Sequence, residues 1–410
     1  MEIAKRGAIR GEIKIPADKS ITHRAIIIGS ISDGVVEVEN YLTGADCLST
    51  LSCMEKLGVK IERSEKSLLI HGAGLHGLKA PTEILDAGNS GTTLRLLTGL
   101  LAAQPFNSTF TGDDSLKKRP LRRVINPLMQ MGAIFSSDKL PLTISGKSLH
   151  GIRYETTLAS AQVKSAILLA GLYANAPTQI IMPSCRDHTE IMLRASGAEL
   201  DGLTIYPAQR LLMPERIQIP NDISSAAYWI VLATLIDGSE IILRDIGVNE
   251  TRTGILDALK KMGASIRLIN PRSSCGEALA DIEIKSAPLQ AIEIAAEEIP
   301  RMIDELPILV VAASFAEGTS IIHGVGELRV KESDRLSAIE QEINKLSPGT
   351  IEVDGDTLII HGGKSKRMNT CKTYGDHRIA MSLGIMGMAA SGVELDDTDC
   401  VNISYPNFFN

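Results

Sequence analysis

The sequence predicts an α/β protein of two similar domains, each built from three β-α-β-α-β-β units. Three observations lead there. The segment IKIPADKSITHRAIIIGSISDGVVEV, from Ile13, is matched by IQIPNDISSAAYWIVLATLIDGSEII, from Ile217. Both open with Ile-x-Ile-Pro-x-Asp-x-Ser, continue as an apolar helix-like run and reach Asp-Gly, at an offset of about two hundred residues, half the chain. Weaker copies of the same pattern fill the space between and after them. Finally, 410 residues that are 44% hydrophobic can bury more than one core.

The copies run in order along the chain. The first begins at Ile13, the second near Asn89 (NSGTTLRLLTGLLA) and the third at Ser160 (SAQVKSAILLAGLYA). The fourth begins at Ile217, the fifth at Asp304 (DELPILVVAASFAEG) and the sixth at Asp376 (DHRIAMSLGIMGMAASG). At each helix start stands a small or acidic residue suited to an N-cap. The apolar helix is followed by a short strand rich in β-branched residues, such as VVEV, STFT, TQIIM, SEIIL or TSIIH. Most copies then carry a polar loop, a second helix ending near glycine (MEKLG, LKKMG) and another strand. The sixth copy is cut short. An ordinary α/β protein with chance similarity is the competing reading, and the length of the first match counts against it. A doubly wound dinucleotide-binding fold is disfavoured as well. GAGLHG at Gly72–Gly77 is the nearest approach to its glycine fingerprint, but Leu-Lys-Ala-Pro follows where a helix should begin, so the segment reads as a turn.

Composition narrows the function. Net charge is −7 with no long basic run, which disfavours a nucleic-acid partner. Six cysteines form no CxxC pair and suit no zinc site, so they read as reduced, mostly buried thiols. The N-terminal residues carry neither an apolar signal core nor a transit segment, and no run of about eighteen apolar residues could span a membrane. A cytoplasmic protein without metal, redox cofactor or membrane partner is expected.

Repeated apolar helices suggest how such a protein could bind anions. Helix N-termini leave backbone N–H groups unpaired and carry partial positive charge, and several converging ends favour phosphate or carboxylate. Basic and acidic residues collect near these ends: Lys19, Ser20 and Arg24 in PADKSITHRA; Asn89, Gly91 and Arg95 in GNSGTTLR; Arg119 in DDSLKKRPLRR; Arg186 in SCRDHTE. In the second half stand Asp304 in IDELP, Lys331, Glu332 and Arg335 in RVKESDR, and Asp376, His377 and Arg378 in YGDHR. Singly, each has an ordinary explanation as surface charge, helix cap or local polar cluster. Their shared placement at unit starts and loops is harder to explain structurally.

Lys-Ser-x-x-x-Arg, Gly-Asn-x-Gly-Thr, Arg-Pro, Ser-Ala-Gln, Arg-Val-Lys-Glu-x-Asp-Arg and Asp-His-Arg occur here in one order. In that order they resemble the 5-enolpyruvylshikimate-3-phosphate synthases, from about Ile13 to Phe409. The resemblance implies the enolpyruvyl transferase fold, with domain one formed by residues 1–18 and 221–410 and domain two by residues 19–220. It implies a double hinge, an active site in the cleft between domains, and a monomer. It further implies transfer of the enolpyruvyl group of phosphoenolpyruvate to the 5-hydroxyl of shikimate 3-phosphate, a step of aromatic amino-acid biosynthesis, with no cofactor.

Carried over motif by motif, Lys19, Ser20, Arg24, Ser160, Gln162, Arg186, Asp304 and Lys331 resemble the shikimate 3-phosphate ligands. Lys19, Asn89, Gly91, Arg119, Gln162, Arg335 and Arg378 resemble the phosphoenolpyruvate set, with Thr92 and His377 as neighbours. Asp304, Glu332 and Lys19 resemble the catalytic groups. The chemistry suits these residue types. Phosphoenolpyruvate carries a phosphate and a carboxylate, both of which arginine grips bidentately. The attacking hydroxyl must lose a proton while the methylene C3 gains and later returns one, so two carboxylates have separate tasks. The chain departs from many members at Leu96, where Pro is common, and near Ile403, where Lys is common. NSGTTLRL, KKRPLRR and RDHTE resemble the branch often less sensitive to glyphosate. The sister transferase acting on UDP-N-acetylglucosamine normally has a cysteine before Arg-Pro and opens with Lys-Asn. Here TGDDSLKKRP lacks the cysteine and Ser20 follows Lys19. A non-catalytic scaffold on this fold is the remaining rival, and the retained Asp304 and Glu332 argue against it.

Overall fold

A computed structural model describes residues 1–409. The chain divides into two compact units. One unit, inner in chain order, comprises Ala17–Pro220 with the short segment Ser273–Glu277, and the other, outer in chain order, comprises Met1–Pro16, Asn221–Arg272 and the described chain from Ala278 onward. Each has its own apolar core.

Three long apolar helices lie at the centre of each unit. In the inner unit they are Lys19–Ser30, Gly91–Ala102 and Ala161–Gly171. In the outer unit they are Ile223–Leu235, Leu306–Phe315 and His377–Ala389. They are buried on nearly every side, as their lack of a polar face requires. Close approach is built in: a Cβ on Gly99 would lie 2.2 Å from the Ala166 carbonyl oxygen, so these two helix backbones can meet only at glycine.

Among the described residues six small sheets surround the helices, and five of them share one four-stranded plan, which the sixth follows without its fourth strand. A first strand runs parallel to the strand that follows the core helix, which pairs antiparallel with a third, and the third with a fourth. In the second copy these are Leu85–Asp86, Asn107–Thr111, Leu142–Ser145 and Ile134–Phe135. In the fifth they are Glu293–Ile294, Thr319–Ile322, Thr357–His361 and Ile351–Asp354. The first parallel pair is thus joined through the buried helix, a βαβ crossover.

Two strands are exchanged between copies. Arg10–Ile13, just ahead of the first core helix, pairs with Glu240–Leu243 of the fourth copy. Arg216–Gln218, just ahead of the fourth, pairs with Glu37–Glu39 of the first. The shortened sixth copy is completed from the other end of the chain: Glu2–Ile3 pairs antiparallel with Val393–Glu394. The N-terminal amine donates to the Leu395 carbonyl at 2.6 Å.

The segment Gly72–Gly77 is a turn after the strand Ser67–His71, and a Cβ on Gly77 would meet the Ala73 carbonyl at 1.9 Å. Five of the six cysteines are buried and Cys275 is half-buried, and among the described residues none forms a disulfide. Among the described residues no helix is long and apolar enough to cross a membrane.

Candidate active site

The helix caps organise the site residues. In the inner unit Asp18, Ser90 and Ser160 cap the three core helices, accepting from Ile21 N at 2.8 Å, Thr93 N at 3.0 Å and Val163 N at 3.5 Å. Side chains then tie the three starts together. The Lys19 ammonium sits 3.2 Å from Asp46, whose carbonyl accepts from Thr93 Oγ1 at 3.2 Å. Gln162 donates to Thr92 Oγ1 at 3.0 Å and accepts from Arg95 Nη1 at 2.5 Å. Arg119 donates to Asn89 Oδ1 at 2.6 Å, and Asn89 in turn donates to Asp113 at 2.6 Å. Lys19, Asn89, Gly91, Arg119, Ser160 and Gln162 therefore occupy one neighbourhood of helix ends, with Arg95 among them.

Arg24 lies deeper, 4% exposed. It donates to Thr189 Oγ1 at 2.6 Å, the Ser20 carbonyl at 2.8 Å and Ser165 Oγ at 2.9 Å. Burial pulls its pKa down to about 10, with Arg186 contributing in the same direction against Glu190, Asp18 and Glu277, so it remains charged at neutral pH. Beside it the buried Lys164 contacts Glu190 at 2.5 Å.

In the outer unit the helix starts are joined by charges. Asp376 caps the sixth core helix through Arg378 N at 2.9 Å and also accepts from Arg335 Nε at 2.8 Å and Ser333 Oγ at 2.9 Å. Arg335, 1% exposed, donates to Glu332 at 2.6 Å and lies 3.5 Å from Asp304, as does Lys331. Burial opposes charge on Arg335, but Asp376 and Glu332 outweigh it and raise its pKa. Arg378 behaves alike: burial opposes, and Asp304, with Tyr228, Glu305 and Asp222, raises it. Asp304, Lys331, Glu332 and Arg335 thus form one ion network. Arg335 has most of its donors committed to protein carboxylates.

Sequence reasoning gave no role to several members of these clusters. Asp46, the partner of Lys19, lies in the first turn of the helix Ala45–Lys56, which opens after Gly44. Arg252 donates to Ser224 Oγ at 2.6 Å and reaches Glu305 at 3.8 Å. The repeat carried a signal for Arg252: it stands in the loop before the second helix of its copy, where Arg119 stands in the second. Glu305 adjoins Asp304 in IDELP, where nothing local distinguishes it.

A chain of six repeats, with cations and carboxylates gathered at buried helix starts, has the enolpyruvyl transferase fold. Comparison with known proteins resolves the class further. The family model "EPSP synthase (3-phosphoshikimate 1-carboxyvinyltransferase)" matches residues 3–410, and the chain belongs to that family. It is 48% identical to a 3-phosphoshikimate 1-carboxyvinyltransferase of Thermoanaerobacter sp. (strain X514), over 100% of this chain and 98% of the relative. It is 46% identical to one of Geobacter sulfurreducens, over 98% and 95%. A solved EPSP synthase from Acinetobacter baumannii superposes with a TM-score of 0.87 at 41% identity, covering 99% of this chain and 95% of that one.

Proposed function

We propose that this protein transfers the enolpyruvyl group of phosphoenolpyruvate to the 5-hydroxyl of shikimate 3-phosphate, releasing phosphate, and that it works as a cytoplasmic monomer. The observation that carries the reading is the gathering of Lys19, Asn89, Gly91, Arg119 and Gln162 at three linked helix starts, which suits a substrate bearing both phosphate and carboxylate. Ser20, Arg24, Ser160 and Arg186 hold shikimate 3-phosphate, with Arg24 acting from a buried position as a fixed positive charge. In the outer unit, Asp304 accepts the proton of the 5-hydroxyl as that oxygen attacks C2, and Lys331 beside it steadies the carboxylate. Glu332 delivers a proton to C3, giving a tetrahedral intermediate with a methyl group. Return of that proton to Glu332 re-forms the C2–C3 double bond as the C2–O bond to phosphate breaks, and the proton held by Asp304 leaves with the phosphate. Arg335 holds Glu332 and Asp304 through its ion pairs, and Arg378 contributes a further cation for phosphoenolpyruvate.

A coupled assay tests this. Phosphate release from phosphoenolpyruvate should require shikimate 3-phosphate and should not occur with UDP-N-acetylglucosamine. Release with the nucleotide sugar alone would assign the chain to the other chemistry.

A further inference from the structure

Three cations and three carboxylates are buried at the helix starts of the outer unit: Arg252, Arg335 and Arg378 with Asp222, Glu305 and Asp376. Two of the carboxylates have evident local work. Asp222 accepts from Ser224 N at 3.0 Å and Asp376 from Arg378 N at 2.9 Å, each capping its own helix. Glu305 is different. It stands at the cap position of Leu306–Phe315, yet its side chain makes no bond to that helix. The carboxylate instead turns toward the other two helix starts. Its Oε1 accepts from Ser224 Oγ and lies 3.8 Å from Arg252 Nη2 and 3.9 Å from Arg378 Nη1. Oε2 is buried and makes no hydrogen bond in the protein.

A fully buried carboxylate that caps nothing is costly unless nearby cations compensate it. Here those cations belong to the two neighbouring helix starts. From this geometry we infer that Glu305 is a positioning residue for Arg378: it balances the buried guanidinium and fixes the direction in which its fork faces. The inference rests on the proposed role of Arg378 in phosphoenolpyruvate binding. Asp304, the adjacent residue, also attracts Arg378. Without Glu305 the guanidinium is drawn toward Asp304, away from the orientation suited to bidentate capture of an anion.

The test uses Glu305→Gln, which keeps the shape and an acceptor for Ser224 but removes the charge. The expected result is a KM for phosphoenolpyruvate raised roughly tenfold, the loss associated with a misaligned charge-assisted bond, with little change in shikimate 3-phosphate binding. Paired with Arg378→Lys in a double-mutant cycle, the two effects should fall well short of additive. A purely structural role predicts a lowered melting temperature with additive or absent effects on KM. A purely electrostatic role predicts tighter phosphoenolpyruvate binding, since a negative charge has gone. Either result overturns the inference. Should Glu305→Gln fold poorly, Ser224→Ala removes the same carboxylate's hydrogen-bond partner, and an unchanged KM in that variant overturns it equally. If Arg378→Lys alone leaves phosphoenolpyruvate binding untouched, the assigned role of Arg378 fails, and the inference about Glu305 with it. If only the glutamine variant is silent, the positioning role alone fails.

Discussion

Replacing Gly91 by alanine should damage phosphoenolpyruvate binding while leaving the fold at least as stable. Gly91 is the first residue of the helix Gly91–Ala102 and has no left-handed backbone conformation, so the exchange brings no backbone strain. Alanine in place of glycine within a helix is instead worth up to about 1 kcal/mol of stability. The added methyl would stand 2.7 Å from Arg95 Nη1 and 3.3 Å from Arg119 Nη1. Ordinary contact distances require the Arg95 tip to retreat by roughly 0.7 Å. That tip holds Gln162 at 2.5 Å, and Arg119 holds Asn89 at 2.6 Å, so three candidate ligands move together with Arg95. The flexible Arg95 tip yields at little cost to the fold, and misaligned charge-assisted ligand bonds are worth about 1.5–3 kcal/mol, or roughly ten- to a hundredfold in affinity. Steady-state kinetics should show a raised KM for phosphoenolpyruvate, and thermal unfolding an unchanged or higher Tm. A lowered Tm with proportionate loss for both substrates would refute the reasoning, because glycine would then be serving the backbone.

Other perturbations separate catalytic from structural roles. Asp304→Ala and Glu332→Ala should each lower kcat by about 10²–10⁴-fold, the usual weight of a general acid–base group, and only the former should weaken shikimate 3-phosphate binding; near-normal turnover in Glu332→Ala rejects its role. Arg119→Lys should raise the KM for phosphoenolpyruvate at nearly constant Tm, whereas Arg335→Lys should destabilise the protein by about 3 kcal/mol or more, because a buried fork bonded to Asp376 and Glu332 is lost; equal Tm values for the two variants would contradict this. His23 is buried 2.7 Å from Thr50 Oγ1, and burial, then Lys19 and Arg24, hold its pKa well below 6.5. Its folded form refuses a proton that the unfolded chain accepts, so its contribution to stability is present above pH 6.5 and fades as the pH falls below that value. His23→Gln should therefore flatten the decline of Tm on acidification, as differential scanning calorimetry would show; an unaltered slope rejects the assignment.

Much of this architecture was legible because helix starts have a chemical signature. Ser160 and Asp376 cap the helices they were expected to open. Near Asn89 the cap is Ser90, whose short hydroxyl reaches Thr93 N, while Asn89 turns to Arg119. Near Asp304 the cap position falls on Glu305, leaving Asp304 to the ion network. What the sequence hid was pairing between distant segments. Nothing local in Arg10–Ile13 indicates that it joins Glu240–Leu243, because strand registry depends on partners that periodicity cannot name. The buried charges were hidden for a related reason. Lys164 and Glu190 lie in the two different helices of the third copy, and a lysine inside an apolar run looks like surface until its partner is placed.

The exchanged strands also bear on how the chain is made. Residues 17–220 form the inner unit almost without interruption, so translation delivers nearly all of it in one stretch. Residues 1–16 leave the ribosome before the segments they pair with, so Arg10–Ile13 must await Glu240–Leu243, and Glu2–Ile3 must await Val393–Glu394. At about 5–20 residues per second the second wait lasts roughly 20–80 s. Throughout that interval a nascent amino-terminal strand has no template. Each of these strands therefore stays unpaired until a segment from the later half of the chain has been made.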